Sequence, residues 1–387
     1  MSVELLSGNH AAATAAALAG RANRHARGFV SGLYPITPST ECMELLCALE
    51  IEKGQVVRVE SEHSAMGVCI GAAAAGARTF TATSSNGLAY MAENAMAAAL
   101  LRLPVVMMVA NRTVGPPWNV WADHGDSLLL RDAGWVQLYC ADNQEVLDSL
   151  LCAYRLAEDP RLLLPVMVCQ EAFILSHTVA QTDVPAQEAV DGFLPPLDLR
   201  TRLSGEARVV GSIEPPHVTE VHRSQHHQAM GRVWEVYGEI QEAFQAAFGR
   251  RPPDPVVGHR VEDAETVVVS MGTIASTVER VVDAARARGQ RVGSLRVRFH
   301  RPFPSQALAR LLRGASRVAV IDRDLSLGLG GVLWAEGRAL APQAALVQGY
   351  VTGVGGGDPR PGHVEAILDD LAARRSPGDP VLLEAAS

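Results

Sequence analysis

The sequence predicts an α/β protein of two successive units, each built around a mostly parallel sheet. Short apolar runs rich in β-branched residues alternate with longer helical stretches, which is the pattern of such sheets. The alternation stops between residues 180 and 223 and resumes after Pro255. The chain has 387 residues, of which 48% are hydrophobic and 20% charged, so it is globular and long enough for more than one core.

The first unit is predicted from its apolar runs, which indicate strands at residues 79–83, 105–110, 136–140 and 166–169. The stretches between them are rich in alanine or amphipathic, which favours helices at 64–75, 94–101 and 144–158. The most apolar window, 95–110, carries Arg102 and Pro104 at its middle. We interpret this window as a helix and a strand and not as a membrane span, because a central arginine and proline are costly in a bilayer.

The second unit follows an interval with little periodicity. Residues 180–223 predict an irregular crossover, followed by a long amphipathic helix over 225–248 that Gly249 ends. We place the boundary between domain I (1–254) and domain II (255–387), where strands are predicted at 266–270, 291–298, 317–321 and 345–350. Helices are predicted at 272–288, at 305–313 and after Gly331. The glycines at 328–331 lack the full spacing of a dinucleotide loop and predict close helix–sheet packing, whereas those at 353–357 predict a mobile loop.

Charge and cysteine content exclude several classes of protein. Lys and Arg total 34 against 42 Asp and Glu, a net charge of −8, which argues against a polybasic surface for nucleic acid or membranes. The six cysteines contain no Cys-x-x-Cys pair, so they predict neither a disulfide scaffold nor a local zinc or iron–sulfur site. We expect core cysteines, no targeting segment and a reducing cytoplasm.

The first motif with chemical potential is Tyr-Pro-Ile-Thr-Pro at residues 34–38. Its two prolines stiffen the backbone, and we predict that Thr37 caps a helix that begins at Pro38, with Glu41 in the first turn. One interpretation is a capped helix after a strand. The other is a carboxylate-binding site at a rigid helix N-terminus with a free hydroxyl group.

The second motif places two carboxylates before a helix of small apolar residues. Glu60 and Glu62, with Arg58 and His63, form either an exposed charged cluster or the mouth of a site. A desolvated glutamate at such a place has a perturbed pKa and can hold a proton for a ligand.

The third motif is Asn111-Arg112, directly after the predicted buried strand at 105–110. Ligands of open α/β sheets bind at the carboxyl ends of strands, where an arginine either binds a carboxylate through two N–H groups or clamps a loop carbonyl. The nearby run Asp123-His124-Gly125-Asp126 is interpreted as a loop hydrogen-bond network in preference to half of a metal site.

These motifs together resemble a known family. Tyr34-Pro35-Ile36-Thr37-Pro38, Glu60-Ser61-Glu62-His63-Ser64-Ala65, Asn111-Arg112 and Arg298-Phe299-His300-Arg301-Pro302 occur in this order. The chain resembles the α subunit of the 2-oxoacid:ferredoxin oxidoreductases, the pyruvate synthase family, over about residues 8–366.

The resemblance implies a fold and a set of site residues. Domain I would be a doubly wound pyrimidine-binding domain of the thiamine-diphosphate enzymes, and domain II would resemble the transketolase C-terminal domain. Glu62 would be catalytic and hydrogen-bond the aminopyrimidine ring of the cofactor, favouring deprotonation of the thiazolium carbon. Thr37 and Arg112 would bind the 2-oxoacid, and Pro35 and Asn86 would line the cofactor site beside Glu62.

The resemblance also implies partner subunits. The Gly-Asp-Gly motif with a distant Asn that usually binds Mg²⁺ and diphosphate is absent from the sequence. We therefore expect no metal site in this chain, a β subunit that holds the diphosphate, and γ and ferredoxin-like δ subunits, with [4Fe-4S] clusters in the partners. Coenzyme A and ferredoxin or flavodoxin would be the other reactants.

Pyruvate is the expected substrate, with alternatives kept open. Retention of Thr37 favours an ordinary 2-oxoacid over oxalate, and Pro116-Pro117-Trp118 leaves room for an aromatic, branched or dicarboxylic 2-oxoacid. A non-catalytic assembly subunit is a different class, which the joint presence of Thr37, Glu62 and Arg112 argues against. A third alternative is half of another thiamine enzyme, such as a transketolase.

Overall fold

The computed structural model describes residues 2–200, 202–203, 210–343 and 345–383. Within these residues two large sheets and a two-stranded ribbon are formed. The strands are β1 (Ser2–Ser7), β2 (Phe29–Leu33), β3 (Gly54–Arg58), β4 (Arg78–Thr83), β5 (Val105–Asn111), β6 (Val136–Tyr139), β7 (Val166–Glu171), β8 (Val179–Val184), β9 (Val256–His259), β10 (Thr266–Met271), β11 (Val292–Val297), β12 (Phe299–Arg301), β13 (Arg317–Asp322), β14 (Leu346–Val351) and β15 (Val381–Leu382).

The helices lie between these strands and cover the sheets. They are α1 (Gly8–Ala22), α2 (Thr40–Ala48), α3 (Glu62–Ala74), α4 (Ser85–Tyr90), α5 (Ala92–Leu100), α6 (Gly125–Leu129), α7 (Asn143–Glu158), α8 (Gln187–Phe193), α9 (Pro216–Phe248), α10 (Ile274–Ala287), α11 (Ser305–Leu311), α12 (Val332–Gly337) and α13 (Pro361–Ala373).

The first sheet has the strand order β12-β6-β7-β5-β4-β2-β3. Its strands are parallel except β12, which pairs antiparallel with β6. Side chains of β5 alternate between two cores: Val106 and Met108 pack with α1, α7 and α9, whereas Met107 and Val109 pack with α3, α5 and the second unit. The carboxyl ends of β5, β4, β2 and β3 are therefore neighbours at one edge.

The second sheet has the order β15-β14-β13-β10-β11-β9, parallel except for β9. Helices α10 and α13 pack on one face, and the other face joins the core shared with the first sheet. The proposed domain boundary at 254/255 falls between α9 and β9. Strand β12, from beyond that boundary, returns to the edge of the first sheet.

Most predicted elements are present, and two predictions for the region between the two sheets were wrong. The long helix begins at Pro216, not at 225, because residues before 225 continue the helix although they bury little apolar surface. The interval 180–223 contains α8, and β8 extends into it, because β8 pairs with the N-terminal strand β1, a long-range partner that local periodicity does not reveal. Residues 201 and 204–209 of that interval, and 384–387 of domain II, lie outside the described residues.

The apolar window 95–110 is confirmed as a helix and a strand, since it spans the end of α5 and most of β5. Within the described ranges no helix has the length and apolarity needed to cross a membrane. Cys42, Cys69, Cys140, Cys152 and Cys169 are buried free thiols and Cys47 is half-buried, which confirms them as packing residues.

Candidate functional site

All the predicted site residues lie at the carboxyl edge of the first sheet. Pro35 and Thr37 follow β2, Glu62 begins α3 after β3, Asn86 lies in α4 after β4, and Arg112 directly follows β5. Because β5, β4, β2 and β3 are adjacent, the fold brings these separate motifs to one rim.

Glu62 is the first residue of α3 and is only 8% exposed. The preceding Ser61 caps the helix by accepting a hydrogen bond from the Ser64 N–H at 3.2 Å, and the helix dipole favours a carboxylate here. No hydrogen bond or ion pair to the Glu62 carboxylate is formed by the described part of the chain. The acceptor atoms of this carboxylate are therefore available to a hydrogen-bond donor on a polar ligand.

Glu62 packs against the backbone of Gly87 in α4. A methyl group at Gly87 would lie 2.6 Å from Oε1 of Glu62 and 2.7 Å from Oγ1 of Thr83. Thr83 is buried, and its hydroxyl has no hydrogen-bond partner among the described residues. Sequence reasoning missed Thr83, although its place at the end of a buried strand was a usable signal.

The charged cluster around Glu62 divides between solvent and interior. Arg58 and Glu60 are exposed, and Glu60 accepts a hydrogen bond from the Ser64 hydroxyl, which lowers the pKa of its carboxyl. Glu62 alone turns inward. The interpretation of this motif as an exposed charged cluster therefore holds for Arg58 and Glu60 but not for Glu62.

Arg112 is buried to 7% exposure beside the segment after β2. Its Nη1 donates to the Thr37 carbonyl oxygen at 2.6 Å and its Nε donates to the Asn119 carbonyl oxygen at 3.1 Å. Burial lowers the pKa of the guanidinium. Arg112 thus clamps loop carbonyls, and within the described residues no carboxylate forms an ion pair with it, which leaves its charge available to an anion.

The segment 34–39 is placed differently from the prediction. Helix α2 begins at Thr40 with Ser39 at the N-cap position, so Thr37 is not the cap and Pro38 is not its first residue. A turn closed by the hydrogen bond from the Ser39 N–H to the Ile36 carbonyl oxygen at 2.9 Å precedes the helix, and the Asn9 side chain fixes this segment by donating to the Pro38 carbonyl oxygen at 2.6 Å. Pro35 and Thr37 remain exposed.

Asn86 connects α4 to the loop that follows Arg112. Its Oδ1 accepts hydrogen bonds from the Gly115 N–H at 3.0 Å and from the Ser85 hydroxyl at 3.1 Å. The side chain is half-buried. Its contacts support the loop, while its role beside a cofactor stays a prediction.

The 123–126 run is a hydrogen-bond network, as interpreted from the sequence. Asp123 accepts hydrogen bonds from the N–H groups of Gly125 at 2.7 Å and Gly355 at 3.1 Å. Burial raises the pKa of Asp126 to about 6, although several hydrogen bonds favour its charged form. In the described ranges no cluster of three or more His, Cys, Asp or Glu side chains is arranged to hold a metal ion.

A buried ion cluster that sequence reasoning missed joins the two units. Glu171, at the end of β7, is paired with Arg323 after β13, contacts His124 Nε2 at 2.9 Å, and accepts hydrogen bonds from the Thr273 N–H and hydroxyl groups. Burial alone would raise the pKa of Glu171, but the charge of Arg323 and these hydrogen bonds hold it at about 2. No local motif marks this cluster, because its members are far apart in sequence.

The glycines of the second unit have two packing roles. A Cβ at Gly331 would lie 2.0 Å from Oδ2 of Asp322, which confirms close helix–sheet packing in that cluster. The 353–357 loop, predicted to be mobile, is hydrogen-bonded to the loop after Arg112: Asn119 Nδ2 donates to the Gly355 carbonyl oxygen at 2.8 Å. Gly356 lies so close to Trp121 that a Cβ would be 2.0 Å from the Trp121 Cβ.

Two family models match the chain in the order of its two sheets. The model described as "Pyruvate flavodoxin/ferredoxin oxidoreductase, thiamine diP-bdg" matches residues 21–242. The model described as "Pyruvate:ferredoxin oxidoreductase core domain II" matches residues 264–364.

Curated relatives are similar over nearly the whole chain. Pyruvate synthase subunit PorA of Methanothermobacter thermautotrophicus is 42% identical over 372 residues, covering 95% of both chains. Ketoisovalerate oxidoreductase subunit VorA of Pyrococcus horikoshii is 40% identical over 377 residues, covering 95% of this chain and 93% of the relative.

Solved structures share the fold. A 2-oxoglutarate:ferredoxin oxidoreductase from Magnetococcus marinus superposes with a TM-score of 0.72 at 18% identity over 95% of this chain, which spans 65% of that longer chain. A transketolase from Campylobacter jejuni gives a TM-score of 0.53 at 13% identity, and 45% of its length is covered. These likenesses confirm the predicted thiamine-enzyme fold class. Because a family model spans more than half of the chain and relatives near 40% identity cover almost all of it, the chain belongs to the pyruvate flavodoxin/ferredoxin oxidoreductase family.

Proposed function

We propose that this chain is the α subunit of a hetero-oligomeric 2-oxoacid:ferredoxin oxidoreductase that acts on pyruvate. The reaction is the reversible oxidative decarboxylation of the 2-oxoacid with coenzyme A to acyl-CoA and CO₂, with electrons passing to ferredoxin or flavodoxin. The observation that carries the proposal is the buried, unpaired carboxylate of Glu62 at the rim where Arg112 is also held.

The residues present fit the pyrimidine end of thiamine diphosphate. Glu62 offers an unpaired carboxylate beside Gly87, where any side chain would displace it, so a planar nitrogen heterocycle that hydrogen-bonds Glu62 suits this place. When bound, the cofactor supplies the nucleophilic carbon that attacks a 2-oxo group. Glu62 holds the proton at the pyrimidine nitrogen, and Pro35 and Asn86 lie on the same rim.

Arg112 and Thr37 are proposed to bind the substrate carboxylate and carbonyl. The guanidinium is fixed by two loop carbonyls and still has Nη2 free of hydrogen bonds to the described residues. An arginine held in this way can bind an anion without losing much conformational freedom.

A branched 2-oxoacid is the second candidate substrate. The relatives include a pyruvate synthase at 42% identity and a ketoisovalerate oxidoreductase at 40% identity, a difference too small to choose between them. The exposed loop 114–121, with Trp118 and Trp121, belongs to the same rim and is a candidate for contacts with the substrate side chain.

The rest of the enzyme is proposed to reside in partner subunits. The curated relatives are named as subunits, which supports a hetero-oligomer. We assign the Mg²⁺ and diphosphate site to a β subunit and the [4Fe-4S] clusters to partners that include γ and δ subunits, in the cytoplasm.

The test is a panel of 2-oxoacids on the co-purified complex, with coenzyme A and a viologen acceptor. We expect pyruvate to give the highest kcat/KM and the isolated chain to be inactive. A higher value for 2-oxoisovalerate would select the second candidate. If a complex that contains every subunit reduces the viologen with none of the 2-oxoacids, the assignment is overturned.

A further inference from the structure

Asp126 links the two halves of the candidate site. It lies in α6, is 2% exposed, and accepts hydrogen bonds from separate segments of the chain. Its Oδ2 accepts from the Ser85 N–H and the Arg112 N–H, both at 2.9 Å. Its Oδ1 accepts from Asn111 Nδ2 at 2.8 Å and from the Ser127 N–H at 2.7 Å.

The hydrogen bond from the Ser85 N–H to Asp126 stabilises the segment that packs against Glu62, residues 85–87, which we call the cofactor wall. Ser85 has φ +50°, a left-handed conformation that serine adopts rarely and at a free-energy cost. Ser85 begins α4, which carries Asn86 and Gly87, and Gly87 packs on the Glu62 carboxylate. The hydrogen bond from Ser85 to Asp126 therefore stabilises the turn that sets the distance between Gly87 and Glu62.

Asp126 also accepts a hydrogen bond from the segment that follows β5, where Arg112 lies. Arg112 donates its backbone N–H to the same Oδ2 atom that binds Ser85. One carboxylate oxygen thus fixes the residue after β5 relative to the turn after β4. Since all the groups around Asp126 are donors, an asparagine would place its own NH₂ group against two of them.

We propose that Asp126 is a positioning residue that couples the cofactor wall at 85–87 to the substrate arginine Arg112. The inference rests on the proposed function, because it assigns those two segments to the cofactor and to the substrate. Asp126 does not touch either ligand and acts through Ser85 and Arg112. Loss of the Asp126 carboxylate shifts residues 85–87 and Arg112 together.

The experiment uses Asp126→Asn in the intact complex, with Asp322→Asn as the matched control. Asp322 is also buried and accepts backbone N–H groups, from Leu333 at 2.7 Å and Trp334 at 3.1 Å, but at the start of α12 in the second sheet. We expect Asp126→Asn to raise both the thiamine diphosphate Kd and the KM for the 2-oxoacid by roughly 10-fold or more, since misplacement of about 1 Å costs up to 10²-fold. Asp322→Asn is expected to change neither constant, because Asp322 lies away from the rim that holds Glu62 and Arg112.

A conformational readout separates this inference from the proposed function. Hydrogen–deuterium exchange in Asp126→Asn should increase at both 85–87 and 112–115, whatever the substrate of the complex. Inactivity of the wild-type complex on every 2-oxoacid would overturn the function, whereas faster exchange at only one segment would overturn the coupling.

A stability defect alone would also overturn the inference. If Asp126→Asn lowers Tm and leaves the cofactor Kd and KM at wild-type values, Asp126 is only structural. Should Asp126→Asn fail to assemble, Asp126→Glu retains the acceptors but displaces them by one methylene group. Asp126→Glu is then expected to raise both the cofactor Kd and the KM for the 2-oxoacid. Unchanged values of both would reject the coupling.

Discussion

Glu62 and Glu171 are buried carboxylates at the carboxyl edge of the same sheet, with opposite surroundings. Glu171 is paired with Arg323, His124 and Thr273 and has a pKa of about 2. Glu62 has neither an ion pair nor a hydrogen bond to its carboxylate in the described residues and instead packs on Gly87. The chain supplies an ion pair and hydrogen bonds to the Glu171 carboxylate, whereas the Glu62 carboxylate has only the N-terminal dipole of α3.

This difference separates a structural carboxylate from a functional one. A buried charge with all its partners inside the chain joins elements together, here the ends of β7 and β13. A carboxylate without partners in its own chain, such as Glu62, keeps its acceptor atoms available for a donor from a ligand or another subunit. Burial alone therefore does not identify the site. The lack of partners points to a ligand at Glu62 because Glu62 lies at the same sheet rim as Arg112.

The largest expected effect is on turnover in Glu62→Gln. Glutamine retains the shape that packs on Gly87 but cannot hold a proton as a carboxylate does, so kcat should fall by about 10²–10⁴-fold. Assembly and Tm should stay at wild-type values. Glu60→Gln, at the exposed position two residues earlier, is the control and should be fully active. Near-normal turnover in Glu62→Gln would favour a non-catalytic assembly subunit.

The next effect is on stability in Glu171→Gln, which leaves the fully buried Arg323 without its counter-charge. Breaking such a buried pair costs about 3–5 kcal/mol, which thermal unfolding of the complex would record as a lower Tm. Glu265→Gln removes the exposed pair with Arg291 and should cost at most about 1 kcal/mol. An equal decrease of Tm in Glu171→Gln and Glu265→Gln would contradict the structural role of Glu171.

Glu171 also predicts a pH dependence of stability. Its pKa falls from 4.5 in the unfolded reference to about 2 in the folded chain. The carboxylate therefore stabilises the fold fully above pH 4.5, and this contribution, on the order of 3 kcal/mol, is lost as the pH falls from 4.5 toward 2. The Tm difference between wild type and Glu171→Gln should shrink over that interval, and a constant difference would be inconsistent with the pairing.

Arg112→Ala should chiefly raise KM for the 2-oxoacid. Loss of a buried charged donor costs about 2 kcal/mol or more, roughly 30-fold. Arg102→Ala is the matched control, because Arg102 also clamps carbonyl oxygens, of Leu162 and Leu163, away from the rim. It should lower Tm with KM unchanged. The same pattern in Arg112→Ala would remove Arg112 from the substrate site.

Gly87→Ala should give the smallest of these effects. The added methyl group would lie 2.6 Å from Oε1 of Glu62, so the flexible carboxylate must move while its charge is kept. We expect roughly a 10-fold loss in kcat with little change in Tm, since a shift of less than 1 Å at the reacting groups is enough. Gly238→Ala in α9, where the methyl group meets open space, should be neutral. Full activity of Gly87→Ala would mean that Glu62 tolerates displacement.

Local patterns predicted much of the fold but few of its long-range pairings. Strands β5 and β7 were recognised because runs buried on both faces are continuously apolar, and β4 and β6 because their short runs are rich in β-branched and aromatic residues. The pairing of β1 with β8 and the return of β12 to the first sheet were not, because each joins segments more than 100 residues apart.

The residues of the candidate site also fall into those that a local motif predicts and those that depend on long-range contacts. Glu62, Arg112 and Thr37 were found because each stands in a compact motif beside a predicted strand or helix. Thr83, Asp126 and the Glu171–Arg323 pair were missed as parts of the site or its support, because their significance depends on which groups meet in space.

The order of apolar runs and the joint set of motifs determined from the sequence alone that the chain is a two-unit α/β protein of this enzyme family. Hydrophobic periodicity and turn residues act over a few positions, so a sequence records them directly. Only the tertiary structure decided which buried carboxylate is compensated and which stays unpaired. That outcome depends on hydrogen-bond distances between segments that the parallel strands bring together, and no local pattern contains those distances.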